Sequence, residues 1–133
     1  MRRMGFYVLL AAVALTIAGS SRSAAAPPDP QFVTILLDDG SCLFTVGASW
    51  RNVRVDHVFG LWFLDGNFLL TTEAPGTAPN AGELTGNKAV MRAGAFAATS
   101  DEHTWQVLMQ FYSEGAFVGQ QWTNIDAAMC AVM

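Results

Sequence analysis

The ten residues Leu61-Trp62-Phe63-Leu64-Asp65-Gly66-Asn67-Phe68-Leu69-Leu70 decide the fold. Two apolar runs flank Asp65-Gly66, a dipeptide that accepts the positive φ angles of a two-residue hairpin turn. A regular register sets Phe63 opposite Phe68 and Leu61 opposite Leu70, with Trp62 and Leu69 paired on the other side. Both faces are then apolar. Such a hairpin either lies centrally in the fold or offers an apolar face to a partner.

Strand signals continue on both sides of it. Toward the N-terminus, Val53, Val55, His57 and Phe59 alternate with Arg54, Asp56 and Val58, which predicts two opposed faces. Gln31 to Leu37 is a β-branched and aromatic run, and Asp38-Asp39-Gly40-Ser41 reads as a turn. Cys42 to Val46 returns from it, with Cys42, Phe44 and Val46 on one face and Leu43 and Thr45 on the other. Toward the C-terminus, Thr72 to Lys88 is rich in Pro, Gly, Asn, Thr and Ala and reads as a long surface loop. Val90 to Ala98 is a strand of small residues.

Residues 99 to 112 fit two patterns. Thr99 with Glu102 resembles a helix capping box, and Trp105, Leu108, Met109 and Tyr112 fall at helical spacing. Trp105, Val107, Met109 and Phe111 also alternate against Thr104, Gln106 and Gln110. Strand is preferred, because Ser113 to Ala116 and Phe117 to Thr123 then supply a turn and a partner. Asn124 to Met133 is a short helical turn or an edge strand carrying Cys130. The expected fold is mainly β, a small antiparallel sandwich or barrel of about five to seven strands. The alternative is an α+β fold with residues 100 to 112 as a helix on a curved sheet.

The first residues read as an export signal. Met1-Arg2-Arg3 precedes an apolar run from Gly5 to Gly19, too short for a span that needs roughly 20 apolar residues. Ser23 and Ala25 meet the small-x-small rule for cleavage after Ala25, with a site near Ser20 as the alternative. The domains are then a signal peptide over 1–25, an extended leader over 26–30 and one secreted domain over 31–133. Losing Arg2, Arg3 and Arg22 leaves Arg51, Arg54, Lys88 and Arg92 against eleven acidic residues, a net charge of −7. That balance speaks against non-specific nucleic-acid binding and against anionic membranes. No membrane span is expected after cleavage. The destination is extracellular, or periplasmic in a Gram-negative cell, and there Cys42 and Cys130 most simply pair with each other.

Chemistry-bearing clusters are sparse. Asp56 and His57 are neighbours whose side chains point to opposite faces on a strand, and His57 is expected to pack with Val53, Val55 and Phe59. His103, beside Asp101 and Glu102, reads as a solvated turn residue. No nucleophile elbow, phosphate loop or zinc spacing occurs, so no cofactor and no metal are expected. In acidity, size and the chain order His57, Glu73, Arg92, His103, the protein resembles small secreted ribonucleases of the T1 type. It lacks the motif residues that flank those positions in that family, and the early hairpin stands where the family has a helix. In size and cysteine use it also resembles small secreted effectors of plant-associated microbes.

Four tryptophans and nine phenylalanines are a high aromatic load for a chain of 133 residues. The expected function is a secreted, non-enzymatic module that binds a protein or other extracellular macromolecule. Trp50, Trp62, Trp105 and Trp122 are the candidate interface anchors, since tryptophan is enriched where binding energy concentrates. Burial in the core is the competing use of each. The alternatives are a β-barrel carrier of an apolar ligand and, behind it, a ribonuclease-type hydrolase.

Overall fold

The computed structural model describes residues 28–76, 82–94 and 96–132. The segment read as an export signal, with its expected cleavage sites, lies outside them. Nine strands carry the regular structure, with no helix among the described residues: β1 (Gln31–Asp38), β2 (Phe44–Arg51), β3 (His57–Leu64), β4 (Asn67–Ala74), β5 (Gly82–Thr85), β6 (Lys88–Ala93), β7 (Ala97–Ser113), β8 (Ala116–Trp122) and β9 (Asp126–Ala131). They form two antiparallel sheets packed face to face. The first has the order β1-β2-β6-β5 and the second β4-β3-β7-β8, with β9 also pairing β7. Successive hairpins alternate between the sheets, which places β6 against β2 and β7 against β3.

Turn chemistry explains the hairpins. Asp65 and Gly66 have φ of 51° and 82°, and Glu114 and Gly115 repeat the pattern at 51° and 83°, the two positive angles of a type I′ turn. Phe63 faces Phe68 as the sequence predicts. One residue further the register shifts: Trp62 pairs with Leu70 and Leu61 with Thr71, because a bulge leaves Leu69 as an extra residue. The alternation expected from Val53 to Phe59 is also interrupted. Residues 52–56 are irregular, so Val55 and Val58 are both buried although three positions apart, and His57 and Phe59 face outward.

The helical reading of residues 100–112 does not hold. They lie in a 17-residue strand whose Trp105, Val107, Met109 and Phe111 are all fully buried. A strand puts these four on one face, which no helix does. The would-be capping residue Thr99 instead donates its hydroxyl to the carbonyl of Asp101 at 2.7 Å. The expected long loop from Thr72 to Lys88 is also corrected. β4 runs on to Ala74, and β5 pairs with β6 across Gly86-Asn87. Buried Thr72 and Ala74 hold that end of β4 in the sheet. Residues 77–81 lie outside the described ones. The run Val90 to Ala98 is divided between β6 and β7.

Inward side chains of both sheets fill the space between them. Phe44 stacks on Trp105 with ring centroids 4.4 Å apart, and Trp50 meets Phe111 edge-on at 5.7 Å. Phe32 covers Phe111 at 4.3 Å and lies over Gly119, where a Cβ would come within 2.5 Å of its ring. Two fully buried indoles satisfy their N–H groups: Trp62 donates to Thr72 Oγ1 at 2.9 Å and Trp105 to the Cys130 carbonyl at 3.1 Å. Each such ring contributes on the order of 3 kcal/mol by leaving water.

Two devices tie the sheets together. Cys42 and Cys130 form a disulfide across 88 positions of sequence, joining the approach to β2 with β9. The Asn124 side chain accepts from the Leu36 N–H at 2.9 Å and donates to the Leu36 carbonyl at 3.1 Å, as a neighbouring strand would. Where β7 exchanges β8 for β9 as its partner, Thr123 fills the gap. Its Oγ1 accepts from the Val107 N–H at 3.0 Å and its N–H donates to the Val107 carbonyl at 2.9 Å.

Candidate functional site

The inward set Val58, Gly60, Trp62, Val107, Met109 and Phe111 uses up one parity of β3 and β7. The other parity must face out, and it is not polar. Registers β3–β4, β3–β7 and β7–β8 build transverse rows on the outer face of the second sheet. Glu73, Phe59, Gln110 and Gln120 form one; Thr71, Leu61, Leu108 and Trp122 form another. His57, Tyr112 and Phe117 lie at one end, and Phe68, Phe63 and Gln106 at the other.

Aromatic rings cluster at both ends of this face. Phe59 and Tyr112 meet at 90° with centroids 5.5 Å apart, and Tyr112 packs edge-on against Phe117 at 5.7 Å. Phe63 contacts Phe68 at 5.9 Å and Trp122 at 5.2 Å. Phe68, Phe117 and Trp122 are 58%, 53% and 44% exposed, values that rule out a core role for these three rings. Contact with one another holds the rings in place, and preorganised rings lose little freedom when a partner arrives.

Charge on the face is confined to its margin. His57 Nε2 lies 2.6 Å from Glu73 Oε2, and Arg54 pairs with Glu114 at 3.2 Å beyond it. Beside this end is an open depression of about 410 Å³ lined by Asp56, His57, Phe59, Tyr112 and Gly115. Asp56 is oriented there, since its Oδ2 accepts from the Glu114 N–H at 2.9 Å. At the far end His103 Nδ1 lies 2.7 Å from Asp65 Oδ2. The bond to His103, followed by the Thr104 N–H, lowers the Asp65 pKa below its ordinary 3.8.

The candidate residues separate cleanly. Cys42 and Cys130 are joined. Trp50, Trp62 and Trp105 are core residues and present no surface; Trp122 alone of the four is exposed. His57 and Glu73 meet, although His57 was expected to pack with Val53 and Val55. His103 sits on β7 rather than in a turn, paired with Asp65 beyond the opposite end of β3. The seven residue steps from His57 to Leu64 put roughly 23 Å between those two ends. Arg92 is exposed on β6, in the other sheet. Among the described residues no three His, Cys, Asp or Glu side chains converge as a metal site requires.

Phe59, Phe63, Phe68, Tyr112 and Phe117 were not candidates from the sequence. For Phe63 and Phe68 the signal was the hairpin with two apolar faces, one of which is occupied by the opposite sheet. A comparison with protein-family models returns no match. A comparison with curated proteins also returns none.

Proposed function

We propose that this chain is an exported binding module that recognises an extracellular macromolecule through the outer face of the β4-β3-β7-β8 sheet. The observation that carries the reading is the exposed aromatic face itself, with Phe68, Phe117 and Trp122 on a sheet whose other side is fully packed. Contiguous apolar surface of this kind is unusual on a lone soluble domain unless something binds it. Export is supported by the basic start and apolar run of residues 1–19 and by the disulfide, a bond that persists in oxidising compartments. The resemblance in size and cysteine use to small secreted microbial effectors makes a macromolecule of a host or neighbouring cell the first target to screen.

Nothing in the geometry favours the carrier or the hydrolase over this reading. The rings that a carrier would need as a cavity lining touch one another across the interior. Two members of the ribonuclease-like quartet meet, while the other two sit on separate elements. The test is capture from extracellular material on immobilised, oxidised protein, with a Phe117→Ala/Trp122→Ala variant beside it. A specific partner retained by the parent and lost with the variant is the expected result. Retention that ignores the two substitutions would remove the face from its assigned role.

A further inference from the structure

The depression at the His57 end of the aromatic face combines two kinds of wall. Phe59 and Tyr112 stand at right angles and make an apolar corner, which Phe117 extends through its contact with Tyr112. Asp56 and His57 supply the polar part of the lining, the His57 ring lying beside Phe59 with centroids 4.7 Å apart. Glu73 holds His57 through Nε2 at 2.6 Å, which leaves Nδ1 as the ring atom for a ligand. The Glu114 N–H holds Asp56 through Oδ2, which leaves Oδ1. At about 410 Å³ the depression falls in the range of small-ligand sites.

Charge narrows the ligand class. The nearby arginine, Arg54, is paired with Glu114, and the His57 ring is paired with Glu73. Among the described residues a phosphate or carboxylate would find no unpaired cation at the depression and would meet Asp56. A purely apolar ligand would take water from Asp56 Oδ1 and His57 Nδ1 and give neither atom a partner in return. A ring with apolar C–H faces and equatorial hydroxyls satisfies both walls, because hydroxyls donate to Asp56 and accept from or donate to His57.

The surface continues from this end as a neutral track. Gln110 and Gln120 lie beyond Tyr112 and are bonded to each other at 3.2 Å, followed by Leu108 and Trp122 in the next row. Amide side chains offer donors and acceptors without charge, which matches a hydroxylated polymer. Tyr112 to Leu108 is four residue steps of strand, about 13 Å, and is longer than one sugar ring. We infer that the face binds a neutral polysaccharide, with one sugar unit in the Asp56–His57–Phe59–Tyr112 depression and the chain running over Gln110 and Gln120 toward Trp122. The inference rests on the binding reading above and names its ligand.

The test uses purified oxidised protein and a panel of neutral polysaccharides (cellulose, chitin, β-1,3-glucan, mannan and xylan), with heparin and hyaluronan as anionic controls. At least one neutral polymer should deplete the protein from solution, and its soluble oligosaccharide should bind in calorimetry. Asp56→Asn, which keeps the acceptor for Glu114, and Phe117→Ala should each weaken that binding about tenfold or more, with unchanged circular dichroism. Depletion by anionic polymers alone, or neutral binding indifferent to both substitutions, overturns the assignment. If no glycan binds while Phe117→Ala/Trp122→Ala abolishes capture of an identified protein, the ligand class is wrong and the recognition face stands. If neither happens, both fall.

Discussion

At the scale of single residues, the same side-chain type does opposite work on the two faces of one sheet. Trp62 is sealed between the sheets with its N–H on Thr72, whereas Trp122 lies on the outer face against Phe63. Trp62→Ala should cost about 3–5 kcal/mol in denaturant unfolding, and Trp122→Ala less than about 1 kcal/mol while losing most binding. Equal stability losses for both would contradict the assignment of faces. Asp126 gives a pH signature. Burial, reinforced by Asp38, raises its pKa from 3.8 to about 6, and its Oδ2 is buried without a partner. The folded state therefore holds this proton more tightly than the unfolded chain does, and the group's contribution to stability falls as pH rises from about 4 to about 6. Asp126→Asn should raise the melting temperature at about pH 8 and change it little at about pH 4. A gain of equal size at both would contradict the burial effect.

At the scale of elements, β7 is the organising strand, because it pairs β3 along one edge and β8 then β9 along the other. Thr123 is the residue that lets the partner change. Thr123→Val keeps the shape and removes the acceptor for the buried Val107 N–H, so it should destabilise by about 1–3 kcal/mol. Hydrogen exchange should show the loss as faster exchange at Val107, with β2 little affected. Much at this scale was legible. Alternation marked β7, Asp65-Gly66 marked the β3–β4 turn, and the Cys42 and Phe44 parity marked the inner face of β2. Other features were hidden for physical reasons. The bulge at Leu69 and the irregular residues 52–56 each change parity by one, and a one-residue slip reverses every later side chain. β5 went unseen because Gly82 and its neighbours have turn-like composition, and its pairing with β6 comes from tertiary context.

At the scale of the whole molecule, a disulfide and an asparagine strap close two sheets that share no backbone ladder with each other. Closing a loop of this length stabilises a fold by roughly 4–5 kcal/mol in the chain-entropy treatment. A Cys42→Ala/Cys130→Ala protein should lose a large part of that in urea unfolding, and an unchanged midpoint would show the staple to be idle. The pairing was readable from composition, since only two cysteines exist. The exposed aromatic face was half readable. An apolar run on both parities of a hairpin announced a second buried or bound side, but which parity met the opposite sheet depended on the slip before His57. That slip exchanged Val58 for His57 and Phe59 on the outer face, and so built the candidate site.

Every binding prediction above depends on the outer face of the β4-β3-β7-β8 sheet being the place where this protein meets its partner. The most direct measurement is chemical-shift mapping of the labelled protein as a retained polysaccharide fragment or captured protein is added. Shifts should concentrate at His57, Phe59, Leu61, Tyr112, Phe117 and Trp122, with Val33, Ile35 and Leu37 of β1 unmoved. Shifts centred on β1 and silent on β3 and β7 would contradict it.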